Sequence, residues 1–170
     1  MSQTLSMAND VVSGSNAHGR AVWQKIQNMM TTLLLNTGGL AIKAGGSALA
    51  KTVNVIKYFL AGNMYSKAAA DMAALSGTVT NAKFNVFCFF VAADGTLTTA
   101  MGTEGATLAD VVFPAYDLTT KCMVGFVIIN PTGTGNFVGG TTPLDDATVV
   151  PNAVYINTVG PFDPVNFVSL

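Results

Sequence analysis

The stretch Phe84-Asn85-Val86-Phe87-Cys88-Phe89-Phe90-Val91, followed by Ala92-Ala93-Asp94-Gly95 and Thr96-Leu97-Thr98-Thr99-Ala100, decides the fold. A strand points successive side chains to opposite faces. Here Phe84, Val86, Cys88 and Phe90 make one face and Phe87, Phe89 and Val91 the other, with Asn85 the polar exception. A strand apolar on both faces belongs inside a protein or under a subunit contact. Asp94-Gly95 is a hairpin turn signal, so residues 96–100 are expected to return beside it. Residues 123–129 form a second wholly apolar run, ended by Asn130-Pro131.

Working outward, residues 51–60 alternate, with Val53, Val55 and Lys57 set against Asn54, Ile56 and Tyr58. They turn at Ala61-Gly62-Asn63 into residues 64–67, which reads as a hairpin. Residues 108–113, closed by Pro114, are expected as a strand, as are 148–150 and 153–159 around Pro151-Asn152. Residues 71–75 follow three alanines and read as a single helical turn before Gly77. The total is a mainly β chain: a β-sandwich or jelly-roll-like domain of short antiparallel strands.

The exception is N-terminal. From Ser15 or Asn16 to Leu35, Val22, Ile26, Met29 and Leu33 fall 4, 3 and 4 apart on one helix face, widened by Trp23, Met30 and Leu34. Asn36-Thr37-Gly38-Gly39 supplies a stop. This amphipathic helix packs on its own domain, or it bundles with symmetry mates or lies in a partner's groove; the pattern leaves both open. The organisation expected is an N-terminal arm and helix over 1–38, a β-rich domain over 39–164 and an apolar tail over 165–170. Val165, Phe167, Val168 and Leu170 of that tail are awkward in water and should dock on something. The interaction candidates are therefore the helix face, Val22, Trp23, Ile26, Met29, Met30 and Leu33, and the tail.

Of the 170 residues, only 10% are charged while 50% are hydrophobic and seventeen are glycine. Free monomers keep neighbours apart with surface charge, so this composition points to an exterior largely covered by partner subunits. A membrane span is not expected, because no run reaches about 18 apolar residues. Met1 to Asp10 lacks the basic and apolar regions of a secretory signal. Residues 1–90 hold seven basic side chains and two acidic ones, whereas 91–170 hold Lys121 against seven acids. Opposite halves can attract within or between subunits. The basic residues are spread singly, so direct nucleic-acid binding is not expected.

No chemistry-bearing constellation emerges. The Gly-rich stretch 130–143 lacks the Gly-Lys-Ser/Thr of a phosphate-binding loop, and Val138 stands where a dinucleotide fingerprint needs its third glycine; it reads as a turn that lets backbones approach. Asp145-Asp146 reads as turn chemistry rather than half a metal site, since hard cations need several regularly spaced oxygens. His18 is the single histidine, with neither a nucleophile elbow nor a Cys partner in sequence. Cys88 and Cys122 lie in or beside apolar runs and behave as small hydrophobes, so zinc is not expected; whether they pair stays open. The chain is expected to be no enzyme, with no catalytic, cofactor or metal residues.

Five segments carry a resemblance: residues 66–71 (Ser-Lys-Ala-Ala-Ala-Asp), 84–87 (Phe-Asn-Val-Phe), 101–108 (Met-Gly-Thr-Glu-Gly-Ala-Thr-Leu), 125–133 (Gly-Phe-Val-Ile-Ile-Asn-Pro-Thr-Gly) and, most strongly, 139–152 (Gly-Gly-Thr-Thr-Pro-Leu-Asp-Asp-Ala-Thr-Val-Val-Pro-Asn). Over 66–164 the chain resembles virion structural proteins of tailed bacteriophages and prophages. The resemblance implies membership of a particle, as a capsid cement, decoration or head-fibre subunit, and carries over no active residues. The expected partners are further copies of the chain, a homotrimer or another small symmetric oligomer, and the major capsid protein or other virion proteins. The expected location is the virion, after the host cytoplasm. Two alternatives remain: a tail adaptor or baseplate piece, and a receptor- or glycan-binding module whose surface would include Tyr65, Tyr116 and Tyr155.

Overall fold

The structure, a computed structural model, describes residues 13–162. A helix, α1 (Ser13–Thr31), precedes the strands β1 (Leu33–Leu34), β2 (Leu40–Ile42), β3 (Ala50–Thr52), β4 (Ile56–Leu60), β5 (Asn63–Lys67) and β6 (Thr78–Val79). There follow β7 (Asn85–Ala92), β8 (Leu97–Met101), β9 (Lys121–Ile129), β10 (Phe137–Val138) and β11 (Val154–Asn157). The chain is mainly β, and every strand pair is antiparallel. Its largest sheet runs β11-β9-β7-β8, and a second runs β1-β4-β5; β2-β3 and β10-β6 are two-stranded.

β7 is central because both of its faces are dry. Phe87, Phe89 and Val91 face a main core shared with Cys122, Val124, Val127 and Ile129 of β9 and with Leu34, Ile56, Tyr58 and Leu60 of the second sheet. The two sheets thus close on one another, and Tyr58 hydroxyl donates to the Ala92 carbonyl at 2.7 Å across the join. Val86, Cys88 and Phe90 face a second, smaller core with Met123 and Phe126. Burying one such aromatic contributes about 2 kcal/mol, so a strand with two dry faces holds both layers together.

β9 could not serve both cores by strict alternation. Phe89 pairs with Gly125 but Phe90 pairs with Met123, leaving Val124 as the extra residue of a β-bulge. The bulge shifts the pleat by one, so Val124 and Val127 face the same core while Met123 and Phe126 share the other. Gly125 is required there: it has φ +155°, and a Cβ would run into the Ile156 carbonyl oxygen and the Leu40 side chain.

Several expected elements are replaced. α1 stops at Thr31, short of Leu35, because tertiary partners capture the next residues. Gly62 N–H donates to the Thr31 carbonyl at 2.9 Å, and Thr32 hydroxyl donates to the Leu118 carbonyl at 2.7 Å. Leu33 and Leu34 then pair with Phe59 and Tyr58, so Leu33 leaves the helix face on which its spacing put it. The strand expected over 51–60 breaks at 53–55, where Val53 and Asn54 N–H both donate to the Gly38 carbonyl. Its hairpin onto β5 stands, turning at Ala61-Gly62.

Residues 71–75 are not helical: Met72 N–H donates to the Ala50 carbonyl, and Met72 and Leu75 are buried from an extended segment. Residues 108–113 open as a 3-10 turn, Leu108–Asp110, because the Asp110 carboxylate accepts both the Thr107 N–H (3.0 Å) and hydroxyl (2.8 Å). Residues 148–150 form a turn rather than a strand, since Asp146 accepts N–H bonds from Thr148 and Val149. In the last two cases a side chain offers the backbone a local partner in place of a ladder.

Candidate interaction surface

Among the described residues, acidic side chains of the C-terminal half brace turns and loops. Asp94 accepts the Thr96 N–H and hydroxyl, both at 2.8 Å, and Asp117 accepts those of Thr119 at 2.8 and 2.7 Å. Glu104 accepts the Thr80 N–H at 2.9 Å and hydroxyl at 3.0 Å from 24 residues away. These hydrogen bonds, from backbone and hydroxyl donors, hold the Asp94, Glu104 and Asp117 carboxyls below their ordinary range. Asp145 accepts Gly46 N–H at 3.0 Å. The charge asymmetry read from the sequence therefore arises largely from turn construction, and the ion pair Lys43–Asp71 (2.6 Å) joins two residues of the basic half.

The glycines of 130–143 serve close packing. A Cβ on Gly133 would meet the Thr148 carbonyl, and one on Gly139 would lie 3.0 Å from the Leu75 backbone. Asp145 and Asp146 lie in turns. Among the described residues no three His, Cys, Asp or Glu side chains come together. Among the described residues no helix is long and apolar enough to cross a membrane. Cys88 lies in the smaller core and Cys122 in the main one, on opposite faces of the same sheet, and both are free. Burial pushes each thiol up to about 12.

The three tyrosines do not form one surface. Tyr65 stacks on Tyr58 at 5.6 Å and Tyr155 packs on the main core beside Leu144 and Val150, in separate shallow clefts. Tyr116 lies across the large sheet, 4.7 Å from the Phe90 ring, its hydroxyl donating to the Phe162 carbonyl at 2.8 Å.

The helix candidates are differently placed. Val22, Ile26 and Met29 are half-buried yet belong to neither core, while Trp23 is 54% exposed and Met30 68% exposed. Trp23, Ile26 and Met30, spaced 3 and 4 apart, form an apolar stripe along two turns. Leu33 does not continue it; on β1 it aligns with Phe59 of β4 and Met64 of β5. Leu33 and Phe59 are half-buried and Met64 is exposed, so this row is an apolar band on the outer side of the smaller sheet. Sequence reasoning missed the band because Met64 and Phe59 become neighbours only through strand register. The tail residues Val165, Phe167, Val168 and Leu170 lie outside the described residues.

Comparison of the chain with family models, curated proteins and solved structures returns no match to any of the three.

Proposed function

We propose that the chain is a structural virion protein that docks on a bacteriophage capsid as a cement, decoration or head-fibre subunit, in a small symmetric oligomer with a trimer favoured. The observation that carries this reading is the helix stripe: Trp23 and Met30 stand exposed on a helix whose apolar side chains join neither core. An exposed tryptophan beside a second exposed apolar side chain is a binding anchor in search of a pocket. The low charge of the chain and its resemblance to phage virion proteins supply the partner. The mechanism is mechanical: apolar area buried on docking adds free energy that an assembled shell has and a loose one lacks.

The experiment compares purified particles assembled with the natural chain and with a Trp23→Asp/Met30→Asp variant. The natural chain is expected to co-purify at fixed stoichiometry by mass spectrometry and the variant to be lost from the particle while folding normally. Particles devoid of the natural chain would end the proposal.

A further inference from the structure

We infer that the cleft beside Tyr65, where the two larger sheets meet, is a saccharide site that takes one pyranose ring of a glycan. Its volume is about 390 Å³, within the roughly 300–1,000 Å³ of ligand-binding clefts. Three parts of the chain converge on it: the β4–β5 hairpin with Asn63 and Tyr65, the β7–β8 turn with Ala93 and Asp94, and the approach to β9 with Thr119 and Thr120. Loops held on a rigid scaffold are where proteins commonly carry binding groups. One wall is Tyr65, whose ring stacks on Tyr58 at 5.6 Å. Tyr58 is buried and is fixed in turn by its hydroxyl, which donates to the Ala92 carbonyl at 2.7 Å. The aromatic platform is therefore set before a ligand arrives, which removes an ordering cost from binding.

The polar groups around that platform have lone pairs to spare. Asp94 accepts the Thr96 N–H on one carboxylate oxygen and the Thr96 hydroxyl on the other, which fixes it and keeps it ionised while leaving about two of its roughly four lone-pair sites. The Thr119 hydroxyl donates to the Asp117 carboxylate at 2.7 Å and the Thr120 hydroxyl to the Asp117 carbonyl at 3.2 Å, so each offers a ligand only acceptor capacity. Asn63 adds a carboxamide. Among the described residues no lysine, arginine or histidine lines the cleft, which argues against a phosphate or carboxylate ligand. One aromatic face and a surplus of acceptors call for a neutral ligand with several O–H donors and an apolar C–H face, and a pyranose ring has both. A quaternary ammonium has no donors for these acceptors, and it is held by a cage of several rings where this cleft has Tyr65 alone among the described residues.

This inference does not rest on the particle reading, and its test uses the isolated full chain in solution. Backbone amide shifts are followed by NMR while the methyl glycosides of glucose, galactose, mannose and N-acetylglucosamine are titrated singly to about 50 mM, enough to detect the roughly millimolar Kd expected of a single ring in an open cleft. At least one glycoside should shift the amides of residues 63–65, 92–94 and 119–120 in a saturable way. Asp94→Asn and Tyr65→Ala should each weaken that binding by about ten-fold or more. Ala93→Trp fills the cleft from an exposed position outside both cores and should abolish it. No response to any of the glycosides, or a response confined to other residues, would overturn the inference, and so would binding that survives Ala93→Trp unchanged. A response to tetramethylammonium chloride with none to the glycosides would overturn it too and make the cleft a cation site. Should Tyr65→Ala unfold the chain by unstacking Tyr58, Asp94→Asn and Ala93→Trp supply the same comparison.

Discussion

Tyr155 shows how a residue can be well placed for packing and poorly placed for its polar atom. Its ring packs against the main core, and its hydroxyl is buried with no protein partner; burial, with a smaller contribution from Asp145, pushes its pKa up to about 12. An unsatisfied buried hydroxyl costs about 1–3 kcal/mol, so Tyr155→Phe is expected to raise unfolding stability by about 1 kcal/mol in denaturant titration, and a loss of that size would show that the hydroxyl is satisfied. The cysteines predict an alkaline limit. Unfolded thiols titrate near 9.0 while the native ones hold their protons to about 12, so the native state binds more protons across that window. Stability is then fully present below pH 9 and declines as pH rises towards 12. Chemical unfolding followed from pH 8 to 11 should show this decline, shallower in a Cys122→Ala variant, and neither thiol should be alkylated at pH 8 before unfolding. Residues of this kind were legible early: the buried thiols and the Asp145-Asp146 turn follow from composition and local chemistry. Their pairing was not, because which face of a sheet a cysteine occupies depends on register.

At the scale of elements, the hairpins β4–β5 and β7–β8 and the strand β9 follow from period-2 patterning and turn dipeptides, whereas the boundaries that failed were decided by distant partners. The end of α1 is the instructive case. Leu33 and Leu34 continue the helical spacing, but Thr32 is bonded to Leu118, 86 residues away, and Ala61 N–H donates back to the Thr32 hydroxyl at 3.0 Å. No local signal encodes that arrangement. Thr32→Val keeps the shape and removes both bonds, and should cost about 1–3 kcal/mol in thermal or chemical unfolding; an unchanged midpoint would mean that the helix stops for another reason. The β9 bulge did leave a trace, a glycine inside an apolar strand, which marks either a bulge or a close backbone approach and here marks both. Gly125→Ala is expected to destabilise by about 2–4 kcal/mol, because neither the Ile156 backbone nor the pairing of β9 with β11 can yield cheaply. A calorimetric midpoint within a degree of the natural protein would contradict the bulge.

For the whole molecule, the sparse charge first read as two opposed halves resolves into acids spent on turns and apolar surface left on α1, on the outer side of the smaller sheet and at the β11 edge. Docking driven by apolar burial should therefore resist salt, while side-chain changes on the helix should abolish it. The most direct measurement is an image reconstruction of the intact particle combined with copy counting, carried out for the natural chain and for Trp23→Asp/Met30→Asp, each before and after a wash in 1 M salt. The account predicts ordered density for the natural chain at capsid-symmetric positions, with the helix stripe against a neighbour, retained through the wash and absent for the variant. Particles without that density, or a variant bound as fully as the natural chain, would contradict it.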